Sequence, residues 1–261
     1  MDQLSAFRIG VSALFGLCIG SFLNVVIYRL PRKESIAHPP SACPGCGSQL
    51  ARRDLVPVFS WLFLRGKCRS CAAPISGRYP AIELLTAVLF GVVAYRFDEL
   101  IQLGAFLVLT ASCVALSAID FDTKTLPTRL VYFTLVVGAI IFVIAGFVLD
   151  QRSRIITAFA SAAAVALVFF IIWFIAPNGM GFGDVRFSGT LALFLGWLGY
   201  RYVFIGVTLA FILGALIGVA MMMFGRAGRK TALPFGPFLA IGAFIAILAG
   251  KPIISWWLPT A

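Results

Sequence analysis

Charge is scarce in this sequence. Only 12% of its 261 residues are Asp, Glu, Lys or Arg, and 61% are hydrophobic. A soluble domain carries about twice that share of charge. An ordinary soluble globular domain is therefore excluded, and the composition predicts a polytopic membrane protein. Acid is scarcer still. There are 10 acidic residues against 21 basic ones, so the placement of each carboxylate is informative. The single histidine, His38, precedes Pro39-Pro40 in a polar stretch and is assigned no role. No basic segment precedes the first apolar run, so that run is expected to stay as a membrane anchor. No internal repeat and no low-complexity tract is visible.

What is there is apolar and long. Helices are expected at 4–29, 80–96, 100–119, 128–149, 155–176, 185–199, 201–224 and 233–250, about eight spans of the length a bilayer requires. The sixth and eighth are the short ones, able to tilt or dip partway in. Ile253 to Trp257 reads as an interfacial tail, because Trp favours the headgroup region. The net charge of +11 fits basic loops retained in the cytoplasm better than a nucleic-acid partner, and none is expected. The division expected is a first span at 1–29, a polar insert at 30–79 and a membrane domain at 80–261. The insert holds eight Lys and Arg residues, among them Arg52, Arg53, Arg65, Lys67 and Arg69, against Glu34 and Asp54. It is placed in the cytoplasm by the positive-inside rule. Alternation then puts loops 120–127, 177–184 and 225–232 on the same side. Arg226, Arg229 and Lys230 agree with this scheme, while Arg152 and Arg154 oppose it.

The insert carries two CxxC pairs, Cys43 with Cys46 and Cys68 with Cys71, separated by 21 residues. Four thiolates in two tight knuckles suit tetrahedral Zn²⁺. Two disulfides are the alternative, and a reducing cytoplasm argues against them. Four cysteine ligands leave no open coordination position, so the metal is expected to be structural. A segment of this size with few large apolar side chains needs such a clasp. Cys18 and Cys113 lie in apolar runs and read as ordinary buried thiols.

Two of the scarce carboxylates fall at the ends of apolar runs. Asp120 ends one in Ala-Ile-Asp-Phe-Asp, and Asp184 follows Gly179-Met-Gly-Phe-Gly183 directly before another. Carboxylates at membrane depth are costly and mark functional candidates. Brought together, such a pair shares a proton. One member then activates a water as general base, and the other polarises a carbonyl as acid. Gly181 and Gly183 would let an extended peptide approach the loop. The residues alone leave a helix-breaking turn with a solvated Asp184 open as well. A phosphate loop is weaker, because no GK[ST] follows. Asp122 reads as either a capping neighbour of Asp120 or part of a site. Glu83, just inside the second span, reads as a buried polar contact or a site residue.

Taken in order, the motifs resemble a known family. Gly20-Ser-Phe-Leu-Asn-Val-Val-Ile-Tyr-Arg-Leu-Pro31 is similar to the amino-terminal signature of bacterial prepilin peptidases, GxGD-type intramembrane aspartyl proteases. Val56 to Leu62, Arg65-Gly66-Lys67-Cys68, Arg78 to Leu84, Ile119 to Asp122 with Leu126-Pro127, the Gly179–Asp184 loop and Leu233 to Pro237 complete the set. The resemblance implies an all-α, eight-helix inner-membrane enzyme with a small zinc-binding cytoplasmic segment. It would cleave the basic leader from prepilins or pseudopilins at the cytoplasmic face. The family's catalytic aspartates map onto Asp120 and Asp184; from the residues themselves, Gly181, Gly183 and Asp122 are expected to meet the substrate. Many members also methylate the new amino terminus with S-adenosylmethionine, an activity connected here with the stretch around Gly66 and Lys67. No Rossmann-type loop marks where that co-substrate binds. The rivals are a peptidase lacking methylation, a non-catalytic pilin-assembly scaffold and an ion-coupled transporter. One departure stands out: the family pattern often reads Leu-Pro-Asp where this chain has Leu126-Pro127-Thr128, and its His-Gln-like pair is Thr123-Lys124 here.

Overall fold

The computed structural model describes residues 3–177, 179–224 and 233–257. The basic loop of Arg226, Arg229 and Lys230 lies outside the described residues. Among those described, regular structure is helical, apart from two isolated antiparallel bridges, Ala42 with Gln49 and Lys67 with Pro74. The elements are α1 (Gln3–Arg29), α2 (Phe59–Phe63), α3 (Arg78–Arg96), α4 (Leu100–Thr123), α5 (Thr128–Val148), α6 (Arg152–Ile175), α7 (Phe182–Leu198), α8 (Tyr200–Met223) and α9 (Gly236–Trp257), with a 3-10 turn at Arg52–Leu55. Seven of these are long and apolar enough to cross a membrane. The protein is an all-α, multi-pass membrane protein.

The expected span that is not among these seven is the sixth, 185–199, which corresponds to α7. Its 17 residues measure only about 26 Å at the helical rise, short of a hydrocarbon core about 30 Å thick. Its sequence Phe187 to Trp197 is buried throughout, since α5, α6, α8 and α9 all pack on it. A helix surrounded by helices need not match the bilayer itself. Several expected boundaries move. α4 runs to Thr123 and so contains Asp120, and α7 begins three residues earlier than expected and contains Asp184. α6 begins at Arg152, so Arg152 and Arg154 belong to its first turn. α9 runs through Pro252 to Trp257, which replaces the separate tail with one continuous helix.

The chain forms two compact units, residues 1–103 and 104–261. In the first, α1 packs along α3 by a small-residue face. A Cβ on Gly16 would stand 2.7 Å from the Ala87 Cα, and one on Gly20 would stand 2.7 Å from the Glu83 Cα. Spacing of four residues puts both glycines on one helix face and lets the backbones touch. Arg8, near the start of α1, donates to Asp98 at 2.6 Å and to the Ala94 carbonyl at 3.1 Å. The start of α1 thus lies at the end of α3, as antiparallel neighbours require. Cys113 is buried as expected, but Cys18 is exposed on α1, because the opposite face of that helix is the one packed on α3.

In the second unit, α6 lies along α7 and α8 along α9. Gly189 and Gly196 face Ala166 and Ser161 of α6, and Gly206 and Gly242 bring α8 and α9 together. An aromatic cluster fills the centre. Phe142 stacks on Trp197 at 4.7 Å between centroids, and Phe106 and Phe194 meet Phe142 edge-on. The four rings fix α4, α5 and α7 to one another, and so fix the helix ends that carry the acids.

Candidate active site and metal centre

Asp120 and Asp184 are 4% and 8% exposed. Both sit at helix ends on one side of the second unit, and each is held by the start of a helix. Asp184 is the third residue of α7 and accepts the N–H of Gly181, the residue that caps it, at 3.2 Å. Asp120, near the end of α4, accepts the N–H of Gly236, the first residue of α9, at 2.9 Å. Unpaired amides and the helix dipole favour an anion at such positions. The side chain of Leu126 spans the two. A Cβ on Gly183 would stand 3.0 Å from the Leu126 Cβ, and one on Gly236 would stand 3.1 Å from its Cδ2 and 2.8 Å from Asp120 Oδ2. Asp120 and Asp184 thus lie beside glycines that pack on the same leucine, where any added side chain would crowd them.

The remaining candidates are placed less closely. Gly181 and Asp122 are exposed, and Gly183 is half-buried. Thr128 begins α5 and accepts a hydrogen bond from the Arg186 guanidinium, which also lies over the Phe182 ring at 4.6 Å. Arg186 ties the start of α7 to the start of α5, a contact not apparent from the sequence. Gly236 and Leu126 were likewise missed as neighbours of the acids. Their signal was local: Leu126 precedes Pro127, the residue that caps α5, and Gly236 precedes Pro237 in the first turn of α9.

In the first unit, the four sulfurs of Cys43, Cys46, Cys68 and Cys71 lie within 4.8 Å of one another. The two bridges close one knuckle each, Ala42–Gln49 around the first pair and Lys67–Pro74 around the second. Amides return into each knuckle, with Gly47 N–H bonded to the Cys43 carbonyl and Ala72 N–H to that of Cys68. Four thiolates at about 2.3 Å from a tetrahedral Zn²⁺ would sit about 3.8 Å apart, and Cys43 and Cys71 Sγ are 3.8 Å apart. The donor set and its spacing fit such an ion. The hydroxyl and amide of Ser48 beside Cys46 lower the pKa of that thiol. Arg69, inside the second CxxC, forms a paired bond to Asp54 at 2.6 and 3.0 Å. Arg69 holds the Asp54 carboxyl below its usual range and clasps the knuckle to the 3-10 turn.

Gly66 and Lys67 part company. Lys67 is exposed, while Gly66 is buried with φ +66°. A Cβ there would stand 3.0 Å from the Trp61 ring, whose indole N–H donates to the Ile75 carbonyl at 3.0 Å. Gly66 is thus the seat of a fixed tryptophan.

Comparison with known proteins bears on both units. Residues 14–97 match the bacterial peptidase A24 amino-terminal domain, and residues 107–223 match the type IV leader peptidase family. The chain is 36% identical over 273 residues to the prepilin leader peptidase/N-methyltransferase of Pseudomonas aeruginosa, covering 95% of this chain and 92% of that one. This chain belongs to the type IV leader peptidase family. Proteins of the same description from Aeromonas hydrophila and Neisseria gonorrhoeae are 35% and 33% identical, across 94% and 99% of this chain and 92% and 97% of theirs. No solved structure matches. Against this family, the departure at Thr128 has a structural counterpart, since Thr128 offers Arg186 a hydroxyl where a carboxylate would offer a charge.

Proposed function

We propose that this protein is an aspartic endopeptidase of the bacterial inner membrane. It removes the leader from prepilins or pseudopilins at the cytoplasmic face and then N-methylates the new amino terminus with S-adenosylmethionine. The observation that supports the peptidase reading is that Asp120 and Asp184 are both buried, each accepting a helix-start amide, in a chain of the leader peptidase family. One carboxylate takes a proton from water as its oxygen attacks the scissile carbonyl carbon. The other, protonated, donates to the carbonyl oxygen, and the departing amine leaves with a proton as the C–N bond breaks. The titration belongs to the pair and not to either residue. Gly181 and Gly183 leave room for an extended strand at the site, and the exposed Asp122 offers a countercharge to a basic leader. The apolar segment that follows a leader suits the lipid bilayer and the apolar helices around the pair.

The four cysteines are assigned to a structural Zn²⁺, which would hold the two knuckles together without taking part in chemistry. Methylation rests on the names of the relatives. The test is mass spectrometry of a purified prepilin incubated with the purified protein in detergent. Loss of the leader establishes the peptidase. A further gain of one methylene unit only when S-adenosylmethionine is added establishes the second activity, and its absence makes this a peptidase alone. An intact prepilin beside a folded protein contradicts the reading.

A further inference from the structure

The polar insert carries an exposed apolar face. On α2, Phe59, Leu62 and Phe63 are all exposed, Phe63 by 84%, and their spacing puts the three on one side of the helix. Trp61, on the other side, turns inward and donates to the Ile75 carbonyl at 3.0 Å. Leu55 and Val56, just before α2, are exposed as well. Basic residues flank this face. Arg52 and Arg53 precede it, Arg65 and Lys67 follow it, and all four are exposed. Asp54, the one acid between them, is already paired with Arg69 at 2.6 Å.

The height of this face is set by α3. The N–H of Val58, the residue before α2, donates to Glu83 at 2.6 Å. Glu83 is the sixth residue of α3, about 8 Å along the helix from Arg78. The 19 residues of α3 measure about 29 Å, so the helix needs its whole length to cross a hydrocarbon core about 30 Å thick. Arg78 therefore stands at the edge of that core, and Val58 lies below it, at the level of the exposed Tyr79, Leu84 and Leu85 of α3. Val58 holds φ +62° and ψ −53°, which a β-branched residue rarely adopts and keeps only where its surroundings enforce it. The bond to Glu83 is such an enforcement. Interfacial elements bury an apolar side about 5–10 Å into the boundary between headgroups and acyl chains, with Lys and Arg on the polar side. Depth, apolar face and flanking charge agree. We propose that residues 52–67 form a wedge seated in an anionic leaflet of the membrane. Phe59, Leu62 and Phe63 lie among the upper acyl carbons, and Arg52, Arg53, Arg65 and Lys67 meet the phospholipid phosphates. The Arg69–Asp54 pair then ties the cysteine knuckles to an element fixed at the membrane surface.

The experiment uses the full chain in vesicles of equal parts phosphatidylethanolamine and phosphatidylglycerol, with a photo-reactive phenylalanine analogue in place of Phe63. After illumination, the peptide that carries the analogue is weighed by mass spectrometry, with and without a prepilin in the vesicles. Phospholipid adducts are expected in both cases. Adducts only to the prepilin, only to residues 104–261 of this chain, or none at all overturn the inference. A second arm reads the charge. A basic residue near an anionic surface favours it about fivefold, so phosphatidylglycerol is expected in the adducts well above its share of the vesicle. With Arg52→Gln, Arg53→Gln and Arg65→Gln together, that excess is expected to fall towards the vesicle share. All these changes fall on exposed side chains, so the fold is kept. An excess that is absent from the unaltered arginines, or that survives their loss, overturns the contact with phosphate.

Discussion

Residues 30–77 hold one five-residue helix, one 3-10 turn and two single bridges, whereas most of the described residues of the second unit lie in the helices α4 to α9. The first region gathers four thiols and the Arg69–Asp54 pair around short turns. The second gathers glycine faces and a cluster of four packed rings, and its acids are held by helix starts. One region offers four thiols that could hold a removable ion, whereas the other is fixed by contacts distributed along whole helices. The lesson is that the two should fail separately, under different insults.

Metal removal is the sharpest way to separate them. Structural zinc in small domains contributes about 10–16 kcal/mol of apparent binding energy at neutral pH. Stripping it with a chelator, or replacing Cys43 and Cys68 by Ser, should make residues 30–77 sensitive to protease while the helices of the second unit stay protected. Acidification should act in the same direction. Metal-bound thiolates must be deprotonated, so lowering the pH protonates them and releases the ion, and zinc content measured across a pH series should fall as pH falls. Equal protease sensitivity in both units would break the comparison.

A contact fault in the second unit is the converse. Gly242→Leu forces a side chain into the Gly206 carbonyl and the Ala210 backbone. Overpacking of this kind costs about 1–3 kcal/mol, seen as a lowered thermal midpoint with the metal still bound. Gly66→Ala is smaller. Its Cβ meets the Trp61 ring and its φ is positive, so about 1 kcal/mol is expected, together with slower methylation and unchanged leader removal. Thr128→Asp should have the least effect. It gives Arg186 an ionic partner at a half-open position, which is worth at most about 1 kcal/mol, read as a slightly raised midpoint that shrinks with added salt.

The regions also differ in how far they were legible. The four cysteines could be read directly, because a knuckle is a local object and its spacing is written in consecutive residues. The spans were legible because each needs a run of apolar residues. Their ends were not, since α4 runs past its apolar stretch to Thr123 and α7 starts at the cap that Asp184 makes with the Gly181 N–H. The acids stood out through scarcity, but their meeting depends on Leu126 and Gly236, which no spacing links. Glu83 could be noticed on α3 and yet not assigned, because its partner Val58 lies 25 residues away in a turn.

The most direct test of the account is leader removal by the Asp120→Asn and Asp184→Asn variants, followed by mass spectrometry of a purified prepilin. Each substitution keeps the shape and an acceptor oxygen for the helix-start amide, so each variant should insert and retain its metal. The account predicts that either one abolishes cleavage on its own. Near-normal processing by either variant would contradict the claim that these two carboxylates cut the leader.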